Sequence, residues 1–259
     1  MKILRYLTEK KEPIYGWVDN NQVGNIVGSP FDHFRRLEVA TPLVQINMLP
    51  PVTPGKIIAI TNNYQTMDDA QSPDRDSQLP VFFLKPPQSI IGHHGFVRYP
   101  AQTNELVFQA ELAVIISKIS RWVPLAKASS VIFGYTCAAT FYARDLLVKD
   151  STFPARAHGF DTFTALGPWI ETEMDPNDVV ISASLNRSLV QLTTSHEMNF
   201  TIAQLIAYLS SIMTLSPGDV ILTGPIAAGV PVKIGDRVQV EVEGLGTLEN
   251  FIEAENRPG

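Results

Sequence analysis

One cysteine in 259 residues, Cys137, leaves this chain no disulfide to close within itself, and nothing in its cysteine usage points to an oxidising compartment. Cys137 lies between Thr136 and Ala138 in an apolar run, where a buried, inert thiol is expected. Long apolar runs are also missing. The longest, such as residues 112–116, are too short to cross a bilayer. The opening MKILRYLTEKKE has no apolar stretch of signal length, so a cytoplasmic protein with no membrane partner is expected. Excess positive charge is absent: 20 Lys and Arg stand against 26 Asp and Glu, for a net charge of −6. No basic stripe appears, which argues against nucleic acid as a partner. Internal repeats and low-complexity tracts are absent as well.

What remains is an ordinary globular composition, 45% hydrophobic, with enough chain for one large domain or a domain with a small appendage. KILRYL and PIYGWVDNNQVGNIV read as strands joined by an Asp-Asn-Asn turn. A short helix fits residues 30–43, and the proline-rich stretch 48–55 reads as a domain edge. KIIAITNNY is a buried strand ending in Asn62, Asn63 and Tyr64. The polar stretch QTMDDAQSPDRDSQLP after it reads as a loop able to cover a site. VFFLKPP is a strand ending in Lys85, either a solvated tip or a pocket cation. His93 and His94 are adjacent, so on a strand they would face opposite ways, and they read as loop or surface residues. Further strands fit residues 111–116 and 178–192, the latter with an Asn186-Arg187 hairpin turn, and another starts at 168–170; residues 126–130 read as a turn or short helix, and the small residues in the segment after them suggest close packing against a neighbour. Residues 200–215 carry apolar positions at helical spacing, with Thr201 as N-cap. Many strands and one well-marked helix indicate a β-rich α+β fold.

The segment 106–163 organises the rest. LVFQAELAVIISK carries Glu111 in a strand-like run, GYTCAATFYARD places Thr140 and Arg144 among small and aromatic residues, and ARAHGFDTF sets His158 before a turn. Separate segments, each with one or two polar groups, read as the walls of one pocket.

Those blocks, together with KIIAITNNY, VFFLKPP, LSSIMTLSPGDVILTG and VEVEGLGTLEN, resemble the fumarylacetoacetate hydrolase family, in order and over most of the chain. The resemblance implies a mixed β-sandwich roll with a small N-terminal domain (residues 1–50), a pocket-bearing domain (51–259) and a homodimer. It also implies chemistry on 2-oxo and 1,3-dicarbonyl acids through a divalent-cation enolate, held by three carboxylates. Several positions depart from that pattern. Of the family's Glu-x-Glu pair this chain has Gln109 and Glu111, and Thr140 stands where the third carboxylate is expected. Met67 and Ala70 replace the histidine and glutamate that would activate water, although Asp68 and Asp69 lie nearby. His158 replaces a lysine, Leu147 a glutamine and Pro225 a threonine.

One anion of three binds a hard dication far more weakly. The expectation is therefore a site without metal or other cofactor, greasier than a relative's and suited to an apolar, carbonyl-bearing substrate. Glu111, His158, Gln109 and Thr140 are the candidate catalytic residues, with His158 read as a group titrating near neutrality. Lys85, Tyr64, Met67, Tyr142, Arg144, Leu147 and Pro225 are candidate substrate contacts. The leading expectation is a metal-independent isomerisation, cyclisation or rearrangement, in a specialised pathway. The alternatives left open are a non-catalytic binding or partner protein, and a residual metal-dependent C–C hydrolase or decarboxylase using Asp68 or Asp69 as substitute ligands.

Overall fold

The computed structural model describes residues 1–64, 79–150 and 153–255. The chain opens as an antiparallel meander of β1 (Lys2–Leu7), β2 (Pro13–Asp19), β3 (Gln22–Gly28) and β4 (Phe34–Pro42). Asn20 and Asn21 make the β2–β3 turn at φ of 45° and 61°, a conformation asparagine tolerates. β4 occupies the stretch where a short helix was expected. Most of its side chains are exposed, so it brings little apolar surface to the core. Pairing with β3 from Gly28–Phe34 to Gln22–Pro42 satisfies its backbone instead. β5 (Asn47–Leu49) pairs with β1, inside the stretch expected to be a domain edge. Leu4, Tyr6 and Val23 form a small apolar cluster here with Ile14, Val18 and Met48.

The central part begins with β6 (Ile57–Thr61) and its antiparallel partner β7 (Val81–Lys85), followed by the short β8 (Ile90–Ile91) and β9 (Phe96–Tyr99). β10 (Leu106–Ile116) and β11 (Ile132–Ala143) form the longest ladder. After β11 come α1 (Arg144–Asp150), α2 (Ala155–His158), β12 (Thr164–Glu171) and the hairpin β13 (Val180–Leu185) to β14 (Ser188–Thr194). Asn186 and Arg187 make the hairpin turn, at φ of 52° and 72°. α3 (Ile202–Ile212) starts with a capping box between Thr201 and Gln204 and buries Ile202, Leu205, Ile206 and Leu209. β15 (Val220–Leu222), β16 (Val230–Pro231), β17 (Arg237–Val242) and β18 (Gly246–Ala254) complete the chain.

Among the described residues, one sheet has the strand order β4-β3-β2-β1-β12-β11-β10-β15-β6-β7, and a five-stranded sheet has the order β14-β13-β17-β18-β9. This is the β-rich α+β architecture expected from the sequence. The N-terminal strands are not separate from it, since β1 pairs with β12 at Lys2–Glu171 and Ile3–Ile170.

β10 is buried on both faces. Phe108, Ala110, Leu112 and Val114 enter the main core with Ile181, Val238 and Val240 of the second sheet. Ala113 and Ile115 enter a second cluster with Ile57, Ala59, Leu166 and Leu222. Side chains alternate along a strand, so Gln109 and Glu111 share the face of Ala113 and Ile115. No helix among the described residues is long and apolar enough to cross a membrane.

Candidate active site

Strand alternation and register assemble the site. Gln109 pairs with Thr140 and Glu111 with Ala138 across the β10–β11 ladder, which places Gln109, Glu111 and Thr140 side by side on one face. Glu111 is 3% exposed. Its Oε1 accepts the Thr140 hydroxyl at 2.7 Å, and its Oε2 accepts the Gly224 backbone N–H at 2.9 Å.

Gly224 reaches Glu111 because its φ is 106°, and a Cβ there would lie 2.9 Å from the Asn63 Cβ. Asn63 anchors this turn: its fully buried amide donates to Thr223 O at 2.8 Å and to Phe200 O at 3.2 Å. Gln191 works similarly from the second sheet, accepting from Ala110 N at 3.1 Å and donating to Ala228 O at 2.8 Å.

Lys85 closes β7 and is 3% exposed, so it is a pocket cation and not a solvated tip. Its Nζ donates to Phe163 O at 3.0 Å. Burial lowers its proton affinity to a pKa of about 8, against the opposing pull of Glu111. Burial also raises Glu111 to about 7, opposed by the Thr140 hydroxyl, Lys85 and the Gly224 N–H.

His158 ends α2 between two rings, 4.7 Å from the Phe83 centroid and stacked at 5.1 Å on Tyr142. Burial, then the charge of Lys85, lowers its pKa to about 3. The expected titration near neutrality is therefore corrected: in this setting the imidazole is neutral at pH 7 and a poor base.

These groups face a cavity of about 360 Å³. Lys85, Gln109, Glu111, Thr140, Leu147, His158 and Pro225 all line it, and Ala59, Ile60, Val81, Phe82, Phe83 and Pro154 make most of the remaining wall apolar. Other candidates lie elsewhere. Tyr64 is off the lining, in a bridge with Met198, its hydroxyl 3.5 Å from Thr223 Oγ1 and its phenol held protonated by burial. Tyr142 stacks on His158 without lining the cavity. Arg144 is turned away, donating to Glu105 at 2.6 Å and to Gly229 O at 3.0 Å. Asp145 next to it accepts from Thr103 and from the Asn104 and Leu146 N–H groups. Met67, Asp68, Asp69 and Ala70 lie outside the described residues. His93 and His94 sit in a turn with their rings 3.8 Å apart, not on opposite faces of a strand.

Sequence reasoning missed Phe83, the Gly224 N–H and the Phe163 carbonyl. Alternation along VFFLK puts Phe83 on the face of Lys85, so that wall residue was readable. The two backbone groups left no side-chain signal.

Among the described residues the donor set does not fit a hard divalent cation. Among the described residues no group of three or more His, Cys, Asp or Glu could hold a metal. Thr140 spends its proton on Glu111, both Glu111 oxygens already accept a hydrogen bond, and Lys85 brings positive charge to the same cavity. A magnesium-type ion is held by several oxygen donors with enough negative charge among them, and one carboxylate facing a lysine supplies little of it.

Comparison with known proteins places these residues in a wider group. The family model described as fumarylacetoacetate (FAA) hydrolase C-terminal matches residues 56–253. An uncharacterised protein of Archaeoglobus fulgidus is 40% identical over 210 residues, covering 81% of this chain and 83% of that one. The mitochondrial oxaloacetate tautomerase Fahd2a of Rattus norvegicus is 34% identical over 232 residues, covering 84% of this chain and 74% of that one. The crystal structure of 5-carboxymethyl-2-hydroxymuconate delta-isomerase from Mycobacterium smegmatis superposes with a TM-score of 0.90 at 34% identity, covering 98% of this chain and 100% of that one.

Proposed function

Because this chain belongs to the fumarylacetoacetate hydrolase family, we propose that it is an isomerase-type enzyme that moves a proton on an apolar, carbonyl-bearing substrate without a divalent cation. The observation that carries this reading is the state of Glu111: one buried carboxylate, held at both oxygens by Thr140 and Gly224, facing a largely apolar cavity beside Lys85. The isomerase and tautomerase named among its relatives support the reaction type.

Glu111, with a pKa of about 7, is matched to proton transfer near neutral pH. Its carboxylate takes the proton beside the carbonyl and returns it at another carbon. Gln109 makes no side-chain hydrogen bond to a described residue, so its amide is available to donate to the carbonyl oxygen as negative charge grows there, together with Lys85. Thr140 is a positioning residue, because its proton is committed to Glu111. Phe83, His158 and Leu147 shape the cavity and keep water out.

The test is deuterium exchange at the carbon beside the carbonyl of cyclohexanone, followed by NMR in deuterium oxide with excess EDTA. The expected result is exchange that persists in EDTA and falls on the order of a hundredfold or more in Glu111→Gln. Exchange that requires added magnesium, or is equal in wild type and Glu111→Gln, overturns the proposal. Magnesium-dependent turnover of oxaloacetate would return the site to metal chemistry.

A further inference from the structure

A carboxylate alone abstracts a proton poorly from the carbon beside a plain ketone. The carbonyl must first become a stronger electron sink. A bound dication serves that purpose by polarising the oxygen, but the donor set of this cavity does not fit one. A buried primary amine offers another route, by exchanging the oxygen for a positively charged nitrogen.

Lys85 has the geometry for that role. It is 3% exposed at the end of a strand, and its Nζ donates to one described acceptor, Phe163 O, at 3.0 Å. It lines the same cavity as Glu111, with Phe83, Leu147 and Pro225 supplying apolar surroundings. A lysine desolvated in this way spends more time as the free, nucleophilic amine.

We infer that Lys85 is a covalent nucleophile of this site, forming an imine with the ketone or aldehyde carbonyl of an apolar substrate while Glu111 serves as its acid and base. This rests on the reading that the cavity takes an apolar carbonyl compound.

The free amine of Lys85 adds to the carbonyl carbon. One proton passes from the new N–H₂⁺ to the oxygen, the Glu111 carboxyl supplies a second, the oxygen leaves as water, and the nitrogen lone pair closes the C=N⁺ bond. The Glu111 carboxylate then removes a proton from the neighbouring carbon, and that electron pair forms the C=C bond of an enamine. Reprotonation at a different carbon of a conjugated substrate shifts the double bond. One water adds back across the C=N⁺ bond and releases the rearranged carbonyl compound and free Lys85. One water leaves and one returns, and no oxidant or reductant is consumed.

The experiment incubates the full chain with cyclohexanone and sodium cyanoborohydride, whose hydride reduces an iminium to a stable secondary amine, and maps the adducts by peptide mass spectrometry. Cyclohexanone binding is followed separately by saturation-transfer NMR. The expected result is saturable labelling of Lys85 on the order of tenfold or more faster than the exposed Lys118 and Lys149. Glu111→Gln should slow labelling of Lys85 and leave Lys118 and Lys149 unchanged. Lys85→Arg, which keeps the cation, should abolish deuterium exchange. Binding of cyclohexanone with Lys85 labelled no faster than the exposed lysines overturns the covalent step and leaves the apolar-carbonyl reading standing. Neither binding nor selective labelling overturns both. Full deuterium exchange in Lys85→Arg overturns the covalent step alone.

Discussion

Replacing Glu111 by glutamine isolates the electrostatic state of the cavity, because the side chain keeps its shape and loses its titration. The carboxyl has a folded-state pKa of about 7 against an ordinary value of 4.5. The folded protein therefore binds this proton more tightly than the unfolded chain does. The stability it contributes is fully present below pH 4.5 and is lost as pH rises through 7. A raised pKa of this size corresponds to about 3 kcal/mol in all, of which about 2 kcal/mol disappears between pH 5 and pH 7. Glu111→Gln removes that slope. Without the carboxylate to support its charge, Lys85 loses its proton still more easily, so the variant gains stability with pH and the gap between the curves widens. The assay is urea unfolding at half-unit pH steps from 5 to 8, for wild type and variant in the same buffers, with the difference in unfolding free energy plotted against pH. Parallel curves would mean that Glu111 is solvated and that the dry cavity is wrong. A wild type that gains stability relative to the variant as pH rises would mean a carboxylate held ionised well below its ordinary range, as a strong cation ligand would be.

Two further outcomes follow from the same contacts. Gln109→Glu combined with Thr140→Asp puts three neighbouring carboxylates on the β10–β11 face and should create magnesium binding measurable by calorimetry, where the natural chain is expected to give none; equal heats from both proteins would refute the donor-set reasoning. Gly224→Ala should cost about 1–3 kcal/mol in thermal or urea unfolding, because φ of 106° strains any side chain and its Cβ would meet Asn63; an unchanged midpoint would mean that the turn is free to relax.

Elements with a local cause were readable from sequence. Thr201 and Gln204 spell a capping box before an apolar stripe, and α3 begins there. Asn186-Arg187 turns the chain between two alternating runs, and β13 and β14 pair across it. The alternation of β10 already put Gln109 and Glu111 on one face. What was not readable depends on partners distant in the chain. Phe31, Phe34 and Leu37 have helical spacing, yet pairing with the edge of β3 makes residues 34–42 a strand. His158 shifts far from neutrality because Phe83 and Lys85, more than seventy residues earlier, bury it and repel its proton. Arg144 and Lys85 are both cations flanking the same blocks. Glu105 and Gly229 draw one away, while the Phe163 carbonyl fixes the other inside the cavity.

The side chains at 109, 140 and 158 make sense as a single arrangement of buried charge. Carboxylates side by side in a dry pocket repel and must either take up protons or share a cation. Here Gln109 and Thr140 are neutral, His158 is neutral, and among the described residues the charged groups lining the cavity come down to one acid and one base, Glu111 and Lys85. That pair is balanced without any ion. Thr140 goes further than removing a charge, because its hydroxyl donates to the remaining carboxylate, where an aspartate would have repelled it. A lysine at 158 would again have left the wall one positive charge in excess. Together these side chains leave one carboxyl and one amine in a largely apolar cavity, the conditions under which such a pair can act on an uncharged carbonyl compound.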